Sequence, residues 1–306
     1  MQILILEPDG FPTEAIDRLR GLGTVAIGPN APGAGAAEVV FVRLSTTLDA
    51  NFHARYPALR WIVSPTTGLN HIDLAHFAAR EVGVISLRGR VDFLDHIHAT
   101  AEHTLALALA LIRRLAPAAC DVAAGNWNRY PFKGRELFGK TVLLYGYGRI
   151  GRMVAPLYRA FGCHVLGCDI IPDRVPDDMR CDFPGILSAI DVLSIHLPLN
   201  DTTMGIVNTT LLARLSRHAI VVNTARGEII DQPALLAALE RENLAGAALD
   251  VLWGEPTPID TALQARLAAL QGRLLVTPHI GGFTYESLEM VENYIVDVFI
   301  EAASAR

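Results

Sequence analysis

Residues Gly139 to Gly151 read GKTVLLYGYGRIG, an unbroken apolar run closed by glycines at three fixed places. Val142 to Tyr145 has the character of a strand buried on both faces, and Arg149 begins a helical pattern. Gly146, Gly148 and Gly151 fall at the positions of G-x-G-x-x-G. In a dinucleotide site these glycines do separate jobs: one makes a tight turn, one lets backbone approach a pyrophosphate, and one lets helix and strand touch. The motif alone is weak, but its surroundings strengthen it. The next apolar run, His164 to Cys168, ends at Asp169, 18 residues beyond Gly151 (169 − 151), where a carboxylate accepts hydrogen bonds from an adenosine ribose. A negative charge there repels a 2′-phosphate, which favours NAD over NADP. The plain alternative for Asp169 is a turn or cap residue, since Pro172-Asp173 follows.

Outward from this motif, short apolar runs alternate with polar or helical stretches. Before it come Ile3 to Leu6, Val25 to Ile27, Val39 to Val42, Trp61 to Ser64 and Val84 to Ser86. The second series is Val142 to Tyr145, His164 to Cys168, Val192 to Ile195, Ile220 to Asn223, Ala247 to Leu249 and Leu274 to Val276. Such alternation gives parallel sheets with helices on their faces. Each series suffices for its own sheet, and 306 residues exceed what one core usually supports, so two α/β domains are expected. Between the series, Thr100 to Ala124 is nearly all good helix formers and ends near Gly125, which predicts one long connecting helix. Tyr285 to Ala303 is also helical by period.

Three consecutive strand ends of the second series carry chemistry. NTARGEIID places Arg226 just beyond Ile220 to Asn223, where a planar guanidinium can hold a carboxylate through two parallel bonds. DVLWGEP brings Asp250 and Glu255, and TPHIGG, Thr277 to Gly282, brings His279 between a proline and a glycine pair. Arginine, glutamate and histidine are the types expected for an anion clamp, an orienting carboxylate and a proton-transfer imidazole. Singly each has a bland reading: a surface ion pair, a loop carboxylate, a capping side chain. Their joint occurrence at successive strand ends argues against it.

Composition narrows the class. The hydrophobic fraction is 51%, the formal charge is −6, and basic residues are scattered, with no tract to neutralise a line of phosphates, so nucleic acid is not an expected partner. Ile3 to Leu6 runs straight into Glu7-Pro8-Asp9-Gly10, which does not resemble a secretory signal, and Leu105 to Ile112 is closed by Arg113-Arg114 too soon to cross a bilayer. Cys120, Cys163, Cys168 and Cys181 lack Cys-x-x-Cys spacing and suit reduced thiols in cytoplasm. His96 and His98 lie two apart beside Asp95, a spacing that points them to different faces, so no metal site is expected.

AEHTLALAL, GKTVLLYGYGRIG, HLPLNDTT, VVNTARGEIID, ALDVLWGEP and TPHIGGFT occur in an order and spacing that resemble the D-isomer-specific 2-hydroxyacid dehydrogenases, over most of the chain. The resemblance implies two doubly wound parallel-sheet domains: a discontinuous flavodoxin-like substrate domain at residues 1–98 and 283–306, and a Rossmann NAD-binding domain at 99–282. It also implies a small anionic substrate and a homodimer paired through the long helix, with Trp127 and Tyr130 near the contact. Carried over by position, Arg226 binds the substrate carboxylate, His279 exchanges the proton, and Glu255 holds the other imidazole nitrogen. Arg149 and Ile150 offer backbone N–H groups to the pyrophosphate, Asp250 meets the nicotinamide amide, and His196, Pro198, Thr203, Thr224 and Thr104 line the cofactor. SPTTGLNHID matches the family's carboxylate-facing loop, with N–H groups at Thr66, Thr67 and Gly68.

One segment departs from the family. Ser86 to His103 is longer than usual and lacks an Asn-x-Pro-Gly-like connection, but adds Arg88 and Arg90. With Arg43, which sits where phosphoglycerate dehydrogenases place an arginine near the substrate phosphate, they suggest a second anion on the substrate, phosphate or phosphonate; otherwise they are solvated or meet another subunit. Two competing functions stand beside the dehydrogenase: an NAD-dependent oxidase of formate or phosphonate type, and a non-catalytic NAD(H)-sensing protein on the same scaffold.

Overall fold

In the computed structural model, which describes every residue except Thr257 and Arg306, the chain forms two compact units. The first is Met1–Ile97 together with the chain from Phe283 onward, and the second is His98–Gly282.

Five short parallel strands build the first sheet: β1 (Gln2–Ile5), β2 (Thr24–Ile27), β3 (Val39–Phe41), β4 (Trp61–Ser64) and β5 (Gly83–Ser86). Their order, β2-β1-β3-β4-β5, is that of a flavodoxin-like sheet. Period-two alternation sends Ile3, Ile5, Val39, Phe41 and Val63 to one face, and Leu4, Val40 and Ile62 to the other. The C-terminal helix Tyr285–Ser304 covers the first of these faces, burying Val291, Ile295, Val296 and Phe299. Burial of this apolar stripe explains why the end of the chain returns to the unit in which it began.

Six parallel strands form the second sheet: β6 (Thr141–Tyr145), β7 (His164–Cys168), β8 (Val192–Ile195), β9 (Ile220–Asn223), β10 (Gly246–Leu249) and β11 (Leu274–Val276). Their order, β11-β10-β9-β8-β6-β7, reverses direction between β6 and β8. Helices Ala99–Ile112 and Arg149–Ala160 cover the face of Val142, Leu144 and Val222, while Leu211, Leu212, Leu235 and Leu239 cover that of Leu143, Leu193 and Val221. Sheet and helices on both faces make this a doubly wound Rossmann unit. In such a sheet, ligands gather beyond the strand C-termini at the switch point, here β6 and β8.

The expected single helix over Thr100 to Ala124 is instead two, Ala99–Ile112 and Leu115–Ala123. Arg114 adopts the left-handed region at φ 53°, which a continuous helix does not allow. Pro117 supplies the cause: it has no N–H to donate to the carbonyl four residues back and suits only the first turn of a new helix.

Candidate functional site

The glycine loop lies at the switch point. Gly146 has φ 102°, and a Cβ there would stand 2.6 Å from the His196 carbonyl oxygen at the end of β8. A Cβ on Gly151 would stand 2.3 Å from the Gly146 carbonyl, so the helix Arg149–Ala160 starts pressed on the loop. Gly148 differs: among the described residues nothing lies within 4 Å of where its Cβ would be, and no side chain caps the helix it begins. Open space before uncapped amides is a cradle of the kind a pyrophosphate fills. Asp169 closes the loop's other side, its carboxylate accepting from the Tyr147 and Ile171 N–H groups at 2.9 Å each, with Arg174 at 3.7 Å.

His196 packs beneath this loop. Burial pushes its imidazole down to about 3, so the ring is neutral. Its Nε2 lies 2.8 Å from the Ser194 hydroxyl, and its buried Nδ1 has no partner among the described residues. An orphaned buried nitrogen beside an open glycine cradle fits a dinucleotide-binding loop. The hydroxyls of Thr104 and Thr224 face each other at 2.8 Å. Thr203 donates to the Pro198 carbonyl at 2.6 Å and accepts from the Asn200 N–H at 2.9 Å, closing the HLPLNDTT turn on itself.

Arg226 is delivered by a turn that Asn223 builds: its side chain accepts from the Ala225 N–H at 3.0 Å and donates to the Arg226 carbonyl at 2.9 Å. Gly227 then passes so close to the 252–253 backbone that a Cβ would lie 2.1 Å from the Leu252 carbonyl carbon. Only glycine brings these two strand-end loops together, and so sets Arg226 near Glu255. Burial lowers the Arg226 guanidinium below its usual range, opposed by the carboxylates of Glu255 and Glu228. Glu255 in turn meets His279, with Oε1 2.6 Å from Nδ1. A carboxylate accepts, so Nδ1 carries hydrogen and Nε2 is the nitrogen left for chemistry.

His279 itself has φ 54°. The left-handed region costs a non-glycine residue about 1 kcal/mol, so the turn must be held from outside. Asp250 holds it. The His279 N–H donates to the Asp250 main-chain carbonyl at 2.8 Å, and the Asp250 carboxylate accepts from Ile280 N–H at 2.9 Å and Gly281 N–H at 2.7 Å. Thr277 adds its hydroxyl at 2.6 Å, and His103 Nε2 stands 3.2 Å away. Burial works against the Asp250 charge, but these four bonds outweigh it and keep the carboxyl below its usual range. His103 and Thr277 were not among the expected site residues. A clue was available in AEHTLALAL, where the histidine directly precedes Thr104 on an otherwise apolar helix.

In the first unit, the Thr66 hydroxyl lies 2.9 Å from that of Ser64 and donates to the Gly68 carbonyl, shaping the 66–68 loop. Arg43 is buried, with Nε 2.6 Å from Glu292 Oε1 and Nη1 donating to the Asp9 carbonyl at 2.7 Å. These bonds tie Arg43 into the fold, while its buried Nη2 has no partner among the described residues. Arg88 and Arg90 are exposed and line an open groove of about 460 Å³ beside Val298, Glu301 and Ala302 of the C-terminal helix. Among the described residues no group of three or more His, Cys, Asp or Glu side chains is disposed to hold a metal, and no helix is long and apolar enough to cross a membrane.

Residues 105–281 match the model of the D-isomer specific 2-hydroxyacid dehydrogenase NAD binding domain. The chain belongs to this dehydrogenase family. It is 35% identical over 255 residues to the D-3-phosphoglycerate dehydrogenase of Mycobacterium leprae, an alignment covering 82% of this chain and 46% of that protein. The chain thus matches about half the length of such relatives. With the glycerate dehydrogenase of Methylorubrum extorquens it shares 29% identity over 292 residues, 94% of this chain and 84% of that one. Among solved structures, D-lactate dehydrogenase from Aquifex aeolicus, complexed with NAD and lactic acid, superposes with a TM-score of 0.79 at 25% identity, covering 100% of this chain and 96% of that one. The glycine loop at 146–151 and the Arg226, Glu255 and His279 turns all lie within the family's NAD-binding domain.

Proposed function

We propose that this chain is an NAD-dependent oxidoreductase that passes hydride between the nicotinamide and a small D-2-hydroxy or 2-keto acid. The observation that carries this is the contact of His279 with Glu255 at 2.6 Å, beside the Arg226 turn and downstream of an open glycine cradle. Gly148, Arg149 and Ile150 would hold the pyrophosphate, Asp169 the adenosine ribose, and the neutral His196 the wall beneath. When bound, NADH supplies hydride to the keto carbon. Arg226 binds the acid's carboxylate through its planar fork and polarises the keto oxygen. His279 Nε2 gives that oxygen a proton, while Glu255 holds the other ring nitrogen and its negative charge offsets the positive charge of the protonated ring. In oxidation the same nitrogen takes the proton back. Thr66, Thr67 and Gly68 contribute backbone N–H groups toward the carboxylate. Because Arg43 is tied to Glu292 and to the Asp9 carbonyl, a second anion on the substrate falls to the exposed Arg88 and Arg90.

We also infer a homodimer. Helix Leu115–Ala123 buries none of its residues, and Trp127 and Tyr130 beyond it are 91% and 80% exposed. Large aromatic side chains left this exposed beside an unburied helix are the kind of surface a second copy of the chain would cover. Four free thiols suit the cytoplasm.

The test follows NADH absorbance with glyoxylate, hydroxypyruvate and 3-phosphohydroxypyruvate. Turnover of at least one is expected, reduced about 100-fold or more by His279→Ala. Tight NADH binding without turnover of any acid would favour the sensor instead, and NAD reduction by formate or phosphite would favour the oxidase.

A further inference from the structure

His103 plays no part in the chemistry above, yet it stands behind the turn that carries His279. Its Nε2 lies 3.2 Å from Asp250 Oδ1 and 3.1 Å from Thr277 Oγ1. The carboxylate only accepts, and the Thr277 hydroxyl spends its hydrogen on the same Oδ1. Nε2 is therefore the donor, and one N–H faces the Thr277 and Asp250 oxygens together. The three side chains close a triangle joining the first turns of the helix Ala99–Ile112 to the ends of β10 and β11.

What the triangle fixes is the Asp250 carboxylate. That group is almost fully buried and accepts the N–H groups of Ile280 and Gly281, the two residues after His279. There is little slack, since a Cβ on Gly281 would lie 2.8 Å from Asp250 Oδ2. If the carboxylate rotates, both amides lose their acceptor, and in the turn His279 keeps only its own N–H bonds to the main-chain carbonyls of Asp250 and Thr277 against the cost of its left-handed conformation. The ring would then leave the line from Glu255 to its substrate-facing nitrogen.

We propose that His103 is a positioning residue for His279, acting through the Asp250 carboxylate on the turn 279–281; this rests on reading His279 as the proton-transfer group. The relation gives Asp250 a task inside the protein beside the cofactor contact that the family resemblance implies.

His103→Ala and His103→Gln are compared with the parent protein, with hydrogen exchange of the Ile280 and Gly281 amides measured beside steady-state kinetics. Gln keeps an N–H donor at comparable reach. In His103→Ala, exchange at those two amides is expected to quicken about tenfold, with the rest of the second unit unchanged. The kcat for keto-acid reduction is expected to fall about 10- to 100-fold with KM for NADH little altered, as a displaced group costs rate rather than binding. His103→Gln is expected to restore both. Unchanged exchange at the two amides, or a general quickening that Gln does not rescue, overturns the proposal. Should the parent turn over no acid at all, the functional reading fails on its own, and local exchange still decides whether His103 holds the turn.

Discussion

His279 keeps a conformation that few side chains adopt, and its neighbours show why it can: Asp250 takes the amides beyond it while Glu255 takes its ring. The other residue on which the proposed reading turns is Arg226, which under that reading would serve an acid through geometry as well as charge. Lysine would keep the charge and lose the fork. For Arg226→Lys, kcat/KM for the keto acid should fall about 10- to 100-fold while NADH affinity, read by fluorescence titration, stays put. A different pair sets a pH signature in the first unit. Burial pushes Glu292 up to about 7, against the pull of Arg43. A carboxyl whose folded pKa is raised binds its proton better in the folded state, so its contribution is fully present below the unfolded value near 4.5 and is lost as pH rises through about 7. Between those limits stability should decline with pH by at most about 1.4 kcal/mol per unit from this group. Denaturant unfolding of Glu292→Gln across the same range should show that component removed. An unchanged slope would mean that Glu292 is ionised throughout.

Loops at strand ends carry the residues of the proposed chemistry, and the glycine loop makes the sharpest contrast among them. Gly148 has φ −77°, allowed for any residue, with open space around its Cβ position; Gly151 has none. Gly148→Ala should therefore leave stability within about 0.5 kcal/mol and weaken NADH binding about tenfold or more, since the methyl occupies the cradle. Gly151→Ala should instead destabilise the fold by about 1–3 kcal/mol, read by chemical denaturation. If Gly148→Ala binds NADH normally, the cradle is elsewhere. At this scale much was legible in the sequence. The loop, its strand and Asp169 lie within about thirty residues, and their periodicity and spacing are local properties. Arg226, Glu255 and His279 stood out as candidates because each lies in the loop that leaves an apolar strand, β9, β10 and β11 in turn. The triangle of His103, Asp250 and Thr277 was not, because it joins positions 147 and 174 residues apart, and only folding brings them together. The helix break at Arg113-Arg114 was signalled by Pro117, but good helix formers on either side masked it.

For the whole molecule, two sheets of known strand order follow from two series of apolar runs, and the C-terminal helix rejoins the first because its apolar face fits there. Arg43 illustrates what such a count misses: its partner Glu292 is 249 residues away, so the contact that holds this arginine is invisible in the local sequence. The exposed aromatic segment around Trp127 and Tyr130 belongs to this scale as well. Light scattering on a sizing column should give twice the chain mass, and Trp127→Ser with Tyr130→Ser should shift it toward the single chain. A single-chain mass for the parent protein at micromolar concentration would leave that surface for another partner.

Hydride transfer to an acid, with His279 supplying the proton, is tested most directly by isotope. NADH carrying deuterium at both C4 positions is incubated with the best keto acid from the panel, and the product is read by mass spectrometry. One deuterium on the carbon that bore the keto group, formed by the parent protein and lost with His279→Ala, is the result expected. Product without deuterium, or labelled product at an undiminished rate from His279→Ala, would contradict it.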